Sequence, residues 1–354
     1  MVAPAATSSA PPAGVSEQAW ALHRRALVFD AHADTLTEMT DGAYDLGAAP
    51  PGRHLDLPRC AGGVLDAQVF TCFPHPRYVP MGRGRGGGGA ADRVRAMLDT
   101  MDRQRARFPD RLALCTGAGE IAAARAAGKL AAVLSVEGGH GLENDLGVLE
   151  EFHARGVRSL TLTWNNSNEW ADGCGDDLAG VPYAGPHGGL SARGREVLAA
   201  LEALRWVVDV SHVSRRTFDD ALAAARAPLI ASHSCARALR DHQRNLTDEQ
   251  LRALAAAGGV ACVNFYPVFL VSEGDATLQH VLDHVERFLD VAGEDHVGLG
   301  GDFDGIGVTP TDLPDVSALP RLTEGLLRRG LPPAVIEKLL GANLLRVFET
   351  VWAA

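Results

Sequence analysis

Five short segments of the chain set a histidine or a carboxylate directly after an apolar run. In the first, Ala26-Leu27-Val28-Phe29-Asp30-Ala31-His32-Ala33-Asp34, a strand-like stretch ends in His-x-Asp. Side chains at i and i+2 of a strand point the same way. His32 and Asp34 can therefore offer one imidazole nitrogen and one carboxylate to a common point, a pairing that suits zinc. A lone His-x-Asp is more often a satisfied histidine beside a helix-capping aspartate, and the recurrence further along is what changes the reading. Glu137 ends Ala132-Val133-Leu134-Ser135-Val136-Glu137 and is followed by Gly138-Gly139-His140. His212 stands in Val207-Val208-Asp209-Val210-Ser211-His212, and His233 in Leu229-Ile230-Ala231-Ser232-His233. Asp302 and Asp304 close Val297-Gly298-Leu299-Gly300-Gly301-Asp302-Phe303-Asp304. Three histidines with two or three carboxylates exceed what one catalytic zinc needs. They suit two metals about 3.5–4 Å apart, bridged by a carboxylate and a water or hydroxide.

A shared site requires these segments to converge. Short β-rich runs are expected at 27–29, 64–70, 132–136, 159–162, 207–210, 229–231, 260–263 and 297–299. Amphipathic helical stretches fall between them, at 91–108, 146–155, 191–204, 217–225, 247–257 and 277–291. Eight strands, most followed by a helix, predict an α/β fold, a single-domain (β/α)8 TIM barrel, whose strand carboxyl ends bring the polar residues together. A doubly wound sheet is the alternative, but no glycine fingerprint follows the first strand. Residues 1–20, rich in Pro, Ala and Ser, read as a flexible N-terminal tail, and 21–354 as the barrel. The stretch 332–351 is expected to be helix packed on the outside. The glycine-rich segment 81–89 lacks the Gly-Lys-Ser/Thr ending of a phosphate loop. It reads as a flexible loop after the second strand.

Composition narrows the classes. With 33 Lys and Arg against 44 Asp and Glu, the net charge is -11, which argues against an extended nucleic-acid surface. The six cysteines (Cys60, Cys72, Cys115, Cys174, Cys235, Cys262) form no Cys-x-x-Cys pair and read as reduced. The N-terminus lacks the basic and apolar regions of a signal peptide, so the expected location is cytoplasmic. No run of eighteen apolar residues predicts a membrane span.

The segments DAHAD, SVEGGHG, DVSHVS, ASHS and GLGGDFDG, in this order, resemble the membrane (renal) dipeptidase family of the amidohydrolase superfamily. The resemblance runs from about Leu27 to Val351. It implies a binuclear zinc dipeptidase, with two Zn2+ per chain, a metal-bridging hydroxide as nucleophile, and dipeptides that include L-D forms as substrates. By motif, His32 and Asp34 would hold the first zinc, Glu137 would bridge, and His212 and His233 would hold the second. Asp302 matches the residue that handles the proton of the attacking hydroxide, and Asp304 reads as structural. Arg244, in Gln243-Arg244-Asn245, matches the arginine that binds the substrate's free carboxylate, and Tyr266 matches a stretch lining the substrate chamber. Trp164 departs from the family, standing where a histidine contacts the substrate carbonyl. His187 reads as a plain loop residue. The resemblance also points to a homodimer. The rival readings are a relative acting on another amide, such as a lactam or N-acyl amino acid, and a metal-binding barrel without catalysis.

Overall fold

Short runs of β-branched and small apolar residues, most of them followed by a helix, fold as parallel strands with helical crossovers. The structure is a computed structural model that describes residues 10–42, 44–78, 89–175 and 185–353. The strands are β1 (Phe29–Ala33), β2 (Ala67–Cys72), β3 (Leu112–Leu114), β4 (Leu130–Glu137), β5 (Val157–Thr161), β6 (Val207–Asp209), β7 (Ile230–Ser234), β8 (Val260–Val263) and β9 (Val297–Leu299). Pairing runs β2-β1-β9-β8-β7-β6-β5-β4, and β2 also pairs with β4 along Ala67–Cys72 and Ala131–Val136. That last ladder closes an eight-stranded parallel barrel, the fold expected from the sequence.

Strand β3 is an addition. It pairs with Leu130–Ala132 of β4, ahead of the point where β5 takes over at Leu134 and Val157. Three residues carry too little pattern to be read as a strand. Three of the crossover helices start at side-chain caps. The Ser191 and Ser214 hydroxyls accept the Gly194 and Thr217 amides, and Thr247 forms a capping box with Gln250.

The barrel interior is graded in polarity. In β4, Ala131 and Val133 lie at the same parity as Ser135 and Glu137, so apolar residues fill the lower layers and polar ones the top. Ala67, Val69, Val207, Ile230, Val260 and Cys262 join Ala131 and Val133 in one buried cluster. Leu344, Val347, Phe348 and Val351 of the last helix, Asn343–Ala353, belong to the same cluster. This corrects the expectation of a helix on the barrel's outside. It plugs the amino-terminal end of the strands, where an inward layer of small and branched residues needs an apolar lid.

The first helix, Glu17–Arg25, overlaps the expected tail of residues 1–20. Trp20 is buried, and the Ser16 amide and hydroxyl donate to Glu324 at 2.9 and 2.6 Å, tying this helix to the helix Leu319–Arg328. Residues 1–9, and the glycine-rich segment apart from Gly89, lie outside the described residues. All six cysteines are buried, and no disulfide forms among the described residues. No helix among the described residues is long and apolar enough to cross a membrane.

Candidate metal centre

The six residues picked from the motifs meet at the carboxyl ends of the strands. His32 lies in β1, Glu137 ends β4 and His233 lies in β7, while Asp34, His212 and Asp302 follow β1, β6 and β9. All are buried. His32 Nε2 stands 3.3 Å from Asp34 Oδ2, 3.6 Å from Glu137 Oε2 and 3.9 Å from Asp302 Oδ1. On the other side of the same carboxylate, Glu137 Oε1 is 2.8 Å from His212 Nε2 and 3.6 Å from His233 Nε2. Glu137 thus faces histidines through both oxygens.

Two of these side chains leave from strained backbone. His212 and Asp302 have φ of 67° and 61°, in the left-handed region. Such residues cost on the order of 1–3 kcal/mol each and persist only where the surroundings over-determine them. At Asp302 the surroundings are the strand neighbours, because its amide donates to the His32 carbonyl at 3.1 Å. Gly305 is required for space. A Cβ there would sit 2.2 Å from Asp34 Oδ2 and 2.4 Å from Asp302 Oδ1.

The donor set fits divalent metal. His32 Nε2 and Asp34 Oδ1 are buried with no hydrogen-bond partner. His212 Nδ1 lies 2.6 Å from Asn165 Oδ1, and His233 Nδ1 lies 2.7 Å from Ser232 Oγ. If both Nδ1 atoms donate, both Nε2 lone pairs are free, and these stand 2.7 Å apart. Two bare nitrogens that close call for a cation against them. Burial, helped by the positive Arg244 and His32, holds His212 and His233 well below the ordinary histidine range, so neither carries the charge itself. At His32 burial also opposes charge, but Glu137, Asp34 and Asp302 outweigh it and push the imidazolium up to about 10. Burial raises Glu137 and Asp302, with further repulsion from Asp34. A divalent cation, whose ligands must be deprotonated, would offset that repulsion.

A cavity of about 450 Å³ opens over these residues, and Arg244, Trp164 and Tyr266 all line it. Arg244 is only 4% exposed; its Nη2 donates to the His233 carbonyl at 3.2 Å, its guanidinium lies 5.3 Å from the Phe269 ring, and its Nε has no partner. Trp164 stacks on the His212 ring at 6.1 Å and contacts Phe73 at 5.3 Å. Tyr266 packs edge-on against Phe269 at 5.0 Å. Asp304 is engaged elsewhere, accepting the Thr35 hydroxyl and the His54 amide, each at 2.7 Å. His187 lies beside the Asn168 carbonyl at 2.9 Å and does not line the cavity. Sequence reasoning missed Asn165, Asn264, whose Nδ2 donates to Asp302 Oδ2 at 3.0 Å, and the Asp209–Ser232 pair behind His233. Their only signal was a position within one to three residues of a selected residue.

A family model described as membrane dipeptidase (peptidase family M19) matches residues 16–354. Among curated proteins, an uncharacterized dipeptidase of Schizosaccharomyces pombe is 38% identical over 303 residues, covering 84% of this chain and 72% of that one. An uncharacterized protein of Klebsiella pneumoniae is 42% identical over 246 residues, covering 68% and 90%. A metallo peptidase from Rhodobacter sphaeroides, liganded with a phosphinate mimic of the dipeptide L-Ala-D-Ala, aligns with a TM-score of 0.83 at 29% identity, covering 92% of this chain and 99% of that one. The probable dipeptidase PvdM from Pseudomonas aeruginosa aligns with a TM-score of 0.86 at 25% identity, covering 95% and 98%.

Proposed function

This chain belongs to the membrane dipeptidase family of metallopeptidases, and on that premise we propose that it is a two-zinc dipeptidase that hydrolyses dipeptides, L-D dipeptides among them. The observation that carries this reading is Glu137, buried with one oxygen toward His32 and the other toward His212 and His233. His32 and Asp34 would hold one zinc, His212 and His233 the other, with Glu137 shared. When bound, the pair would supply Lewis acidity, polarising the peptide carbonyl and acidifying the attacking water.

The remaining steps belong to side chains. Arg244 is buried, is braced by the His233 carbonyl and has a free Nε–H, so it is suited to take the substrate's carboxylate as a fork. That contact would fix the substrate's C-terminal residue and set the scissile bond over the histidine cluster. Asp302 is oriented by Asn264 at Oδ2, which leaves Oδ1 toward the cluster. Oδ1 takes the proton of the attacking water and delivers it to the leaving amine. Trp164, flanked by Phe73, forms an aromatic wall beside His212. Six buried cysteines with no disulfide among the described residues fit a reducing compartment, and the cytoplasm is the proposed location. The proposed assembly is a homodimer.

A panel of L-L and L-D dipeptides, with zinc-loaded protein, tests the reading. Turnover of dipeptides with a free carboxylate is expected. N-acyl amino acids keep that carboxylate and lack the free amine, so faster cleavage of these would move the assignment to another amide. Bound zinc with no turnover of any member would make the chain a binding barrel.

A further inference from the structure

Behind His233 lies a buried carboxylate that touches neither the metal centre nor the cavity. Asp209, the last residue of β6, is 2% exposed and accepts four hydrogen bonds. Its Oδ1 takes the backbone N–H of Ser211 and of Ser232, each at 2.9 Å. Its Oδ2 takes the hydroxyls of Thr161 and of Ser232, each at 2.6 Å. Ser232 Oγ in turn lies 2.7 Å from His233 Nδ1. We infer that Asp209, acting through the Ser232 hydroxyl, dictates which nitrogen His233 presents to the metal centre. The inference rests on the reading of His233 as a metal ligand.

A serine hydroxyl has one proton to give. Three acceptors lie within reach: the Asp209 carboxylate at 2.6 Å, His233 Nδ1 at 2.7 Å and Ser211 Oγ at 3.3 Å. The carboxylate is charged, whereas the imidazole nitrogen and the serine oxygen are neutral. Hydrogen bonds to an ionised acceptor are roughly twice as strong as neutral ones, so the proton stays on the Asp209 side. Toward His233 the Ser232 oxygen can then only accept. The ring proton must sit on Nδ1, and Nε2 keeps its lone pair, facing Glu137 Oε1 and His212 Nε2. A histidine ligand held in this way keeps its tautomer and ring orientation before any metal arrives.

Asp209→Asn is nearly isosteric, and the structure says how it must sit. The two backbone N–H groups at Oδ1 require an acceptor there, so the amide nitrogen takes the Oδ2 position. It then donates to Ser232 Oγ, and the Ser232 proton turns to His233 Nδ1. The imidazole is left with its proton on Nε2, where the metal should bind. Both backbone ties survive, so strand pairing is kept while the tautomer is reversed.

The test is zinc affinity by chelator competition on full-length wild type, D209N, S232A and D209N/S232A. Loss of an outer hydrogen-bond partner typically costs 10–100-fold in metal affinity. D209N should weaken one of the two zincs by about that factor. D209N/S232A should recover to the level of S232A, because no hydroxyl remains to donate into Nδ1. A merely structural Asp209 predicts the opposite, a double variant no better than D209N, and that result overturns the inference. Unchanged zinc binding in D209N overturns it as well. H233A serves as the control on the underlying reading. If H233A keeps both zincs at wild-type affinity, it is the assignment of His233 as ligand that fails, whatever D209N does.

Discussion

Arg244 offers the sharpest test of how a substrate is held, because its surroundings separate the role of charge from that of shape. Arg244 is 4% exposed, its guanidinium is braced on one side by the His233 carbonyl at 3.2 Å, and it keeps an unpartnered Nε–H. A planar fork in that position can give a carboxylate two parallel N–H bonds. Arg244→Lys keeps the charge, but its ammonium cannot reproduce the fork. Hydrogen bonds to charged groups contribute about 1.5–3 kcal/mol each. Losing one of two should therefore cost about 10–150-fold in kcat/KM, at 1.4 kcal/mol per factor of ten. The lysine also gives up the bond to the His233 carbonyl, so the bare loss overstates the substrate term. A cycle over two enzymes and two substrates removes that confusion. Each dipeptide is assayed as the free acid and as the C-terminal amide, with wild type and with R244K. Wild type should prefer the acid by at least an order of magnitude, and R244K should have lost most of that preference. An acid-to-amide ratio equal in the two enzymes would mean that Arg244 does not bind the carboxylate.

Asp302→Asn should keep both metals and lose about 10²–10⁴ in kcat, as expected for removal of a general acid/base; near-normal turnover would transfer proton handling to another group. Trp164→Phe keeps most of the ring and deletes its N–H, so kcat should stay within a few-fold while Trp164→Ala mainly raises KM. A hundred-fold fall in kcat for Trp164→Phe with the zincs in place would make the indole a donor to the substrate carbonyl. His23 gives a pH signature far from the site. Burial lowers it from 6.5 to about 4, and it bridges the Thr323 hydroxyl and the Val64 carbonyl. Its folded pKa lies below the unfolded one, so stability is full above pH 6.5 and falls as the unfolded chain gains a proton that the fold refuses. From pH 7 to pH 5 the share of the stability loss due to His23 should be about 2 kcal/mol. By denaturant titration His23→Gln should therefore lose about 2 kcal/mol less than wild type over that interval, and equal slopes would refute the assignment.

Much of the centre was legible because a barrel exposes its strand ends on one face. An apolar run that breaks into His, Glu or Asp marks that face, which is how His32, Glu137, His212, His233 and Asp302 were found. Strand spacing says which way a side chain points, but it does not say what stands opposite. Asn165 lies 47 positions from His212 and Asn264 lies 38 from Asp302, and neither carries a pattern of its own. The Asp209–Ser232–His233 chain was hidden for the same reason, although all three residues sat inside quoted segments. The misplaced last helix has another cause. Its apolar face predicts burial, but only the cluster of Leu344 and Phe348 with Ala67, Ala131 and Val260 shows that the partner is the barrel's lower opening.

The central claim is that one carboxylate serves two metal positions, and zinc-edge anomalous diffraction on crystals of wild type and Glu137→Gln tests it directly. Wild type should show two peaks, one beside His32 and Asp34 and one beside His212 and His233, with Glu137 reaching both. Glu137→Gln should lose occupancy at both positions together. A single peak in the wild type, or two full peaks in Glu137→Gln, would contradict the account.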